Sequence, residues 1–120
     1  MNRYALVLLG ILFLCDQLGT AQAQTAYLSA EENNFYLMVN QFRKKLNLPR
    51  VDIQLTLESV AKAHSAWMEG QQNLTHFGPT SAFSPFDRME LAGYKDYTYA
   101  GENIACGYGD ALSTFKQWAN

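Results

Sequence analysis

The sequence predicts an α+β domain, and three observations carry that reading. Apolar residues recur at helical spacing over two long stretches, roughly 30–46 and 56–72. A later run, Tyr97 to Tyr108, is rich in aromatic and β-branched residues and bounded by glycines, which is the pattern of a strand or extended segment. Helical signals then resume up to Trp118.

The first helix opens on Ser29-Ala30-Glu31-Glu32, a capping box with Ser29 at the N-cap and Glu32 three residues on. Phe35, Met38, Val39, Phe42 and Leu46 form its apolar face. Asn40, Arg43, Lys44 and Lys45 lie off that stripe, and the basic residues suit the negative end of the helix dipole. Pro49 closes the helix near Asn47, because a residue before proline avoids helical angles. The second helix starts with Thr56 as N-cap and buries Leu57, Val60, Ala61, His64, Trp67 and Met68. His64 thus falls on the buried stripe, where a hydrogen-bonded core histidine is a commoner outcome than a ligand.

From Asn73 to Pro85 turn formers and aromatics alternate without period, so this stretch is a loop. His76 sits in it beside Gly78. Loops carry functional groups more often than helix faces do, so His76 is the better candidate of the two histidines. Asn73-Leu74-Thr75 is also a glycan acceptor pattern, relevant only in a eukaryotic secretory host. A short helix follows, with Ser84 as cap, Pro85 at its first position and Gly93 as stop. The extended run comes next. The Gly107-Tyr108-Gly109 turn after it lacks the lysine and the spacing of a phosphate cradle. Asp110 caps a last helix that carries Ala111, Leu112, Phe115 and Trp118.

Glu102-Asn103 is an odd insertion into an apolar run. Facing a core, the carboxylate is costly unless paired or hydrogen-bonded. Facing a cleft, it becomes a ligand or an acid/base. The bland alternative is a solvent-facing glutamate, since such residues are rarely buried.

The chain begins with Met1-Asn2-Arg3, an apolar run over 5–15 and then Ala21-Gln22-Ala23, the three parts of a secretory signal peptide. The run is too short for a bilayer, which takes roughly 20 residues. Cleavage after Ala23 leaves a lead-in over 24–34 and one small domain over 35–120, with no transmembrane segment. The protein is therefore expected to be secreted, in the extracellular or periplasmic space. Lys and Arg number 9 against 11 Asp and Glu, dispersed along the chain. That distribution gives no basic patch for nucleic acid and no charged membrane-binding stretch. Cys106 alone survives processing, so the domain holds no internal disulfide and relies on its core.

In order along the chain stand Asn40-x-x-Arg43, Ala61-x-x-His64-Ser65-x-x-Met68, Asn73-x-x-His76-x-Gly78, Arg88-x-x-x-Ala92-Gly93-Tyr94, Gly101-Glu102-Asn103-Ile104-Ala105 and Ala111 to Trp118. Each element is weak alone and specific in this series. Together they resemble the CAP superfamily, also called the SCP domain: cysteine-rich secretory proteins, antigen 5 and pathogenesis-related 1 proteins. The resemblance implies an α-β-α sandwich and a cleft lined by histidines and acidic residues, which in some members binds zinc or another divalent cation. By motif, His76 matches the first cleft histidine and Glu102 the first cleft glutamate, with His64 and Asn103 as supporting residues. The family's second cleft histidine and its later strands would follow the tryptophan helix, and this chain ends at Asn120. The expectation is an incomplete sandwich, a fragment of a longer domain.

Three functions compete. The first is a non-enzymatic binding module for a lipid, sterol, cell-wall component or protein partner. The second is a divalent-metal-dependent hydrolase with Glu102 as general base, for which the sequence offers no nucleophile set. The third is a structural surface protein whose histidine and glutamate only stabilise a loop.

Overall fold

A computed structural model describes residues 28–80, 83–107 and 109–119. The leader expected over 1–23 and the start of the lead-in lie outside the described residues. The chain forms four helices, α1 (Ala30–Lys45), α2 (Leu55–Gln71), α3 (Pro85–Leu91) and α4 (Ala111–Ala119).

The caps explain where each helix starts. At α1 the Ser29 hydroxyl accepts from the Glu32 N–H, and Glu32 accepts in turn from the Ser29 N–H at 2.6 Å. At α2 the cap is Gln54, two residues ahead of the expected Thr56; its Oε1 accepts from the Leu57 N–H at 2.7 Å. At α3, Ser84 and Asp87 form a second capping box with Pro85 just inside. Asp110 accepts from the Ser113 N–H at 2.8 Å and so caps α4.

The helices pack in two pairs. Phe35, Val39 and Ala111 form the core between α1 and α4, covered by Met38, Val51, Phe115 and Trp118. Phe35 sits edge-on to both Phe115 and Trp118, at centroid distances of 6.1 and 5.1 Å. Leu57, Val60 and Met89 form the core between α2 and α3, covered by Tyr94 and Ala100. Two polar ties join distant parts of the chain. Glu31 Oε2 accepts from the Ala111 N–H at 2.7 Å, so a carboxylate at the start of α1 also satisfies the start of α4. Lys62 on α2 pairs with Glu32 on α1 at 3.4 Å.

The α+β expectation is corrected here. No β-strand or bridge occurs among the described residues, and the run 97–107 carries no ladder. Aromatic and β-branched composition makes a segment fit a pleated surface, but a strand exists only where a neighbouring backbone supplies the N–H and C=O partners. No described residue supplies them, so the segment crosses between α3 and α4 as irregular backbone, fixed by its side chains.

Candidate functional site

Three segments converge on one cluster: α2 through His64, the loop after it through Thr75 and His76, and α3 through Arg88. The fourth contributor is Glu102 in the connection to α4. Helix α2 ends at Gln72, which takes the left-handed conformation (φ 54°) and turns the chain back along its own helix. That reversal lays residues 73–78 over the His64 face. Gly78 (φ 149°) lies so close to the Trp67 ring that a β-carbon there would meet it at 2.2 Å. Glycine is required at that contact.

His64 is 2% exposed. Its Nε2 lies 2.8 Å from the Thr75 carbonyl oxygen, and its ring stacks on Trp67 at 5.6 Å. A carbonyl only accepts, so His64 donates through Nε2–H. Burial pushes its pKa below the ordinary histidine value, and the Arg88 and His76 charges act in the same direction; the Thr75 hydrogen bond and Glu102 oppose them. His64 is a neutral support beneath the loop.

His76 stands differently, with 47% of its side chain exposed. Its Nδ1 lies 2.9 Å from Glu102 Oε1. Glu102 Oε2 accepts from Arg88 Nη2 at 2.6 Å, and the Glu102 side chain is only 3% exposed. Arg88 also donates from Nη1 to the His76 carbonyl oxygen at 3.0 Å. Its Nε is buried with no partner among the described residues. Thus the two consecutive carbonyls of Thr75 and His76 are held from below by His64 and Arg88, while Glu102 holds the His76 ring.

Asn103 does not join this cluster. Instead it lines a cavity of about 200 Å³ with Phe35, Val39, Phe42, Phe115, Trp118 and Ala119. Glu102 thus belongs to the polar cluster, and its chain neighbour Asn103 to the wall of the apolar cavity.

Arg88 was missing from the sequence-derived site. Its one hint was a place in the same series of motifs as Glu102; on a short capped helix it otherwise reads as a solvated charge.

A family model for the cysteine-rich secretory protein family, CAP, matches residues 36–120. The chain belongs to that family. The uncharacterized protein YkwD of Bacillus subtilis (strain 168) is 33% identical over 105 residues. That alignment covers 88% of this chain and 40% of the relative, so the chain spans well under half of the relative's length. No solved structure matches it. All five residues of the cluster, His64, Thr75, His76, Arg88 and Glu102, fall inside the matched CAP region.

The zinc that the CAP family implies can be tested against these donors. Zn²⁺ takes about four ligands. Both Glu102 oxygens are committed, to His76 and Arg88, and His64 Nε2 is committed to Thr75. The remaining ring nitrogens, His76 Nε2 and His64 Nδ1, make no hydrogen bond among the described residues, and of the two histidines His76 is half exposed and His64 buried. Among the described residues no group of three or more His, Cys, Asp or Glu side chains is placed to hold a metal ion. The described residues therefore do not by themselves fit a zinc site.

Proposed function

We propose that this CAP domain is a non-enzymatic binding module of an exported protein, that His76 is its polar contact point, and that its ligand is a lipid or sterol. The observation that carries the reading is the mounting of His76. A half-exposed imidazole is held by a carboxylate that is 3% exposed and by an arginine that is 9% exposed. That much buried polar structure under one surface ring pre-organises it for contact. The cavity beside Asn103, at about 200 Å³ and lined by four aromatic side chains, suits the insertion of part of an apolar ligand rather than enclosure of a whole one.

The hydrolase reading is weaker on the same geometry. A general base needs an oxygen within reach of its water, and both oxygens of Glu102 are occupied in a buried pair. Ser65 is no nucleophile either, since its hydroxyl donates to the Ala61 carbonyl within α2 at 3.0 Å.

The experiment is organic extraction of the purified protein followed by mass spectrometry, with an Ala119→Trp variant that fills the cavity. A lipid or sterol recovered from the native chain and lost from the variant supports the reading. A polar wall fragment or a protein partner, recovered in place of a lipid, would replace the ligand class. Empty extracts, together with no uptake of an added sterol, would overturn binding.

A further inference from the structure

Arg88 touches His76 twice, once at its backbone carbonyl and once through Glu102. Guanidinium nitrogens only donate, and a salt-bridged carboxylate only accepts. The chain of donors and acceptors therefore runs one way. Arg88 Nη2 gives to Glu102 Oε2, and Oε1 must receive from His76 Nδ1.

We infer that Arg88 is a positioning residue that fixes the tautomer of His76: the ring proton is held on Nδ1 and Nε2 faces outward as a lone pair. His64 is the built-in contrast. Its Nε2 carries the proton because it faces the Thr75 carbonyl at 2.8 Å. The two histidines of the chain thus hold opposite tautomers. The consequence for specificity is that His76 accepts a hydrogen bond from a ligand hydroxyl and turns away a ligand that offers only acceptors. This deepens the reading of His76 as the contact point and rests on it for its biological use, but the tautomer is a property of the free protein.

The test follows from the same one-way chain. In Glu102→Gln the side chain keeps its shape but gains a donor end. Arg88 demands the amide oxygen, so the NH₂ group turns to His76 Nδ1. That nitrogen must then accept, and the ring proton moves to Nε2. With Arg88→Met added, the amide is free to turn and the preference disappears.

Long-range ¹H–¹⁵N correlation spectra of the full ¹⁵N-labelled chain at about pH 8, where an ordinary histidine is neutral, report which ring nitrogen is protonated. His76→Asn assigns the signals. The expected result is His76 protonated on Nδ1 and His64 on Nε2 in the native chain. Glu102→Gln should give complete reversal at His76 alone, and Glu102→Gln/Arg88→Met a mixture. Reversal in the single variant that persists unchanged in the double one would remove Arg88 from the role. A native His76 protonated on Nε2, or mixed, would overturn the inference without any variant. Either failure leaves ligand uptake to be decided separately, so the inference and the binding reading fail independently.

Discussion

Arg88 Nη2 and Glu102 Oε2 stand 2.6 Å apart, joining α3 to the segment before α4 with side chains 9% and 3% exposed. A buried pair of this kind is weak evidence for net stability, but breaking it leaves an uncompensated buried charge. Arg88→Met or Glu102→Leu alone should each destabilise the chain by about 3 to 5 kcal/mol in denaturant unfolding. The double variant should cost clearly less than the two added together. Additive losses would show that the two charges do not depend on each other.

His64 gives a pH prediction. Its folded pKa lies below its unfolded value of about 6.5, so the unfolded chain binds the proton more readily. The contribution to stability is intact above about pH 6.5 and is lost as pH falls from there through the depressed folded value. Burial is its main cause; of the charged or titratable neighbours, Arg88 and His76 add to the lowering and Glu102 opposes it. Comparing the native chain with His64→Gln across pH 5 to 8 (the range in which histidine titrates) should show a falling limb that the variant lacks. Parallel curves would mean His64 is not held neutral.

Phe35 is 1% exposed and meets Phe115 and Trp118 edge-on. Phe35→Ala should cost about 3 to 5 kcal/mol through lost burial and the cavity left behind. Thermal or denaturant melts would show it, and a loss below about 1 kcal/mol would mean that α1 and α4 re-pack around the gap.

Asn40 holds Val51 at both backbone groups, donating to its carbonyl at 3.0 Å and accepting from its N–H at 2.9 Å. Arg43 adds a bond to the Pro49 carbonyl at 2.6 Å. Asn40→Ala removes both bonds, at about 1 kcal/mol each. Asn40→Asp keeps the acceptor, loses the donor and sets a carboxylate against the Val51 carbonyl. It should therefore be no better than alanine in the same melts. An aspartate that restored native stability would exclude the carbonyl contact.

The sequence made the helices and the tension at Glu102 legible, for local reasons. The caps Ser29, Ser84 and Asp110 and the stop at Gly93 are written in single residues whose chemistry acts within one turn. Glu102 announced itself as a carboxylate that a core tolerates only when paired. The missing strand shows the limit. Residues 97–107 have strand composition, yet pairing belongs to two segments, and the composition of one cannot report the backbone of the other. Arg88 was hidden for a related reason. On a capped helix it reads as a solvated charge, and only the fold places it over Glu102 and the His76 carbonyl. Asn103 was grouped with Glu102 by their shared motif, whereas the fold sets Glu102 in the polar cluster and Asn103 in the wall of the cavity.

In the proposed binding function, His76, mounted on Glu102 and Arg88, contacts the ligand of this CAP domain. The most direct measurement is titration of the native chain, His76→Ala and Ala119→Trp with one fluorescent sterol. The native chain should bind saturably and His76→Ala with affinity about tenfold weaker, the loss of one hydrogen bond worth roughly 1.4 kcal/mol. Ala119→Trp should lose more. Binding by His76→Ala indistinguishable from the native chain, with its fold intact, would contradict the claim and leave His76 as a structural element of its loop.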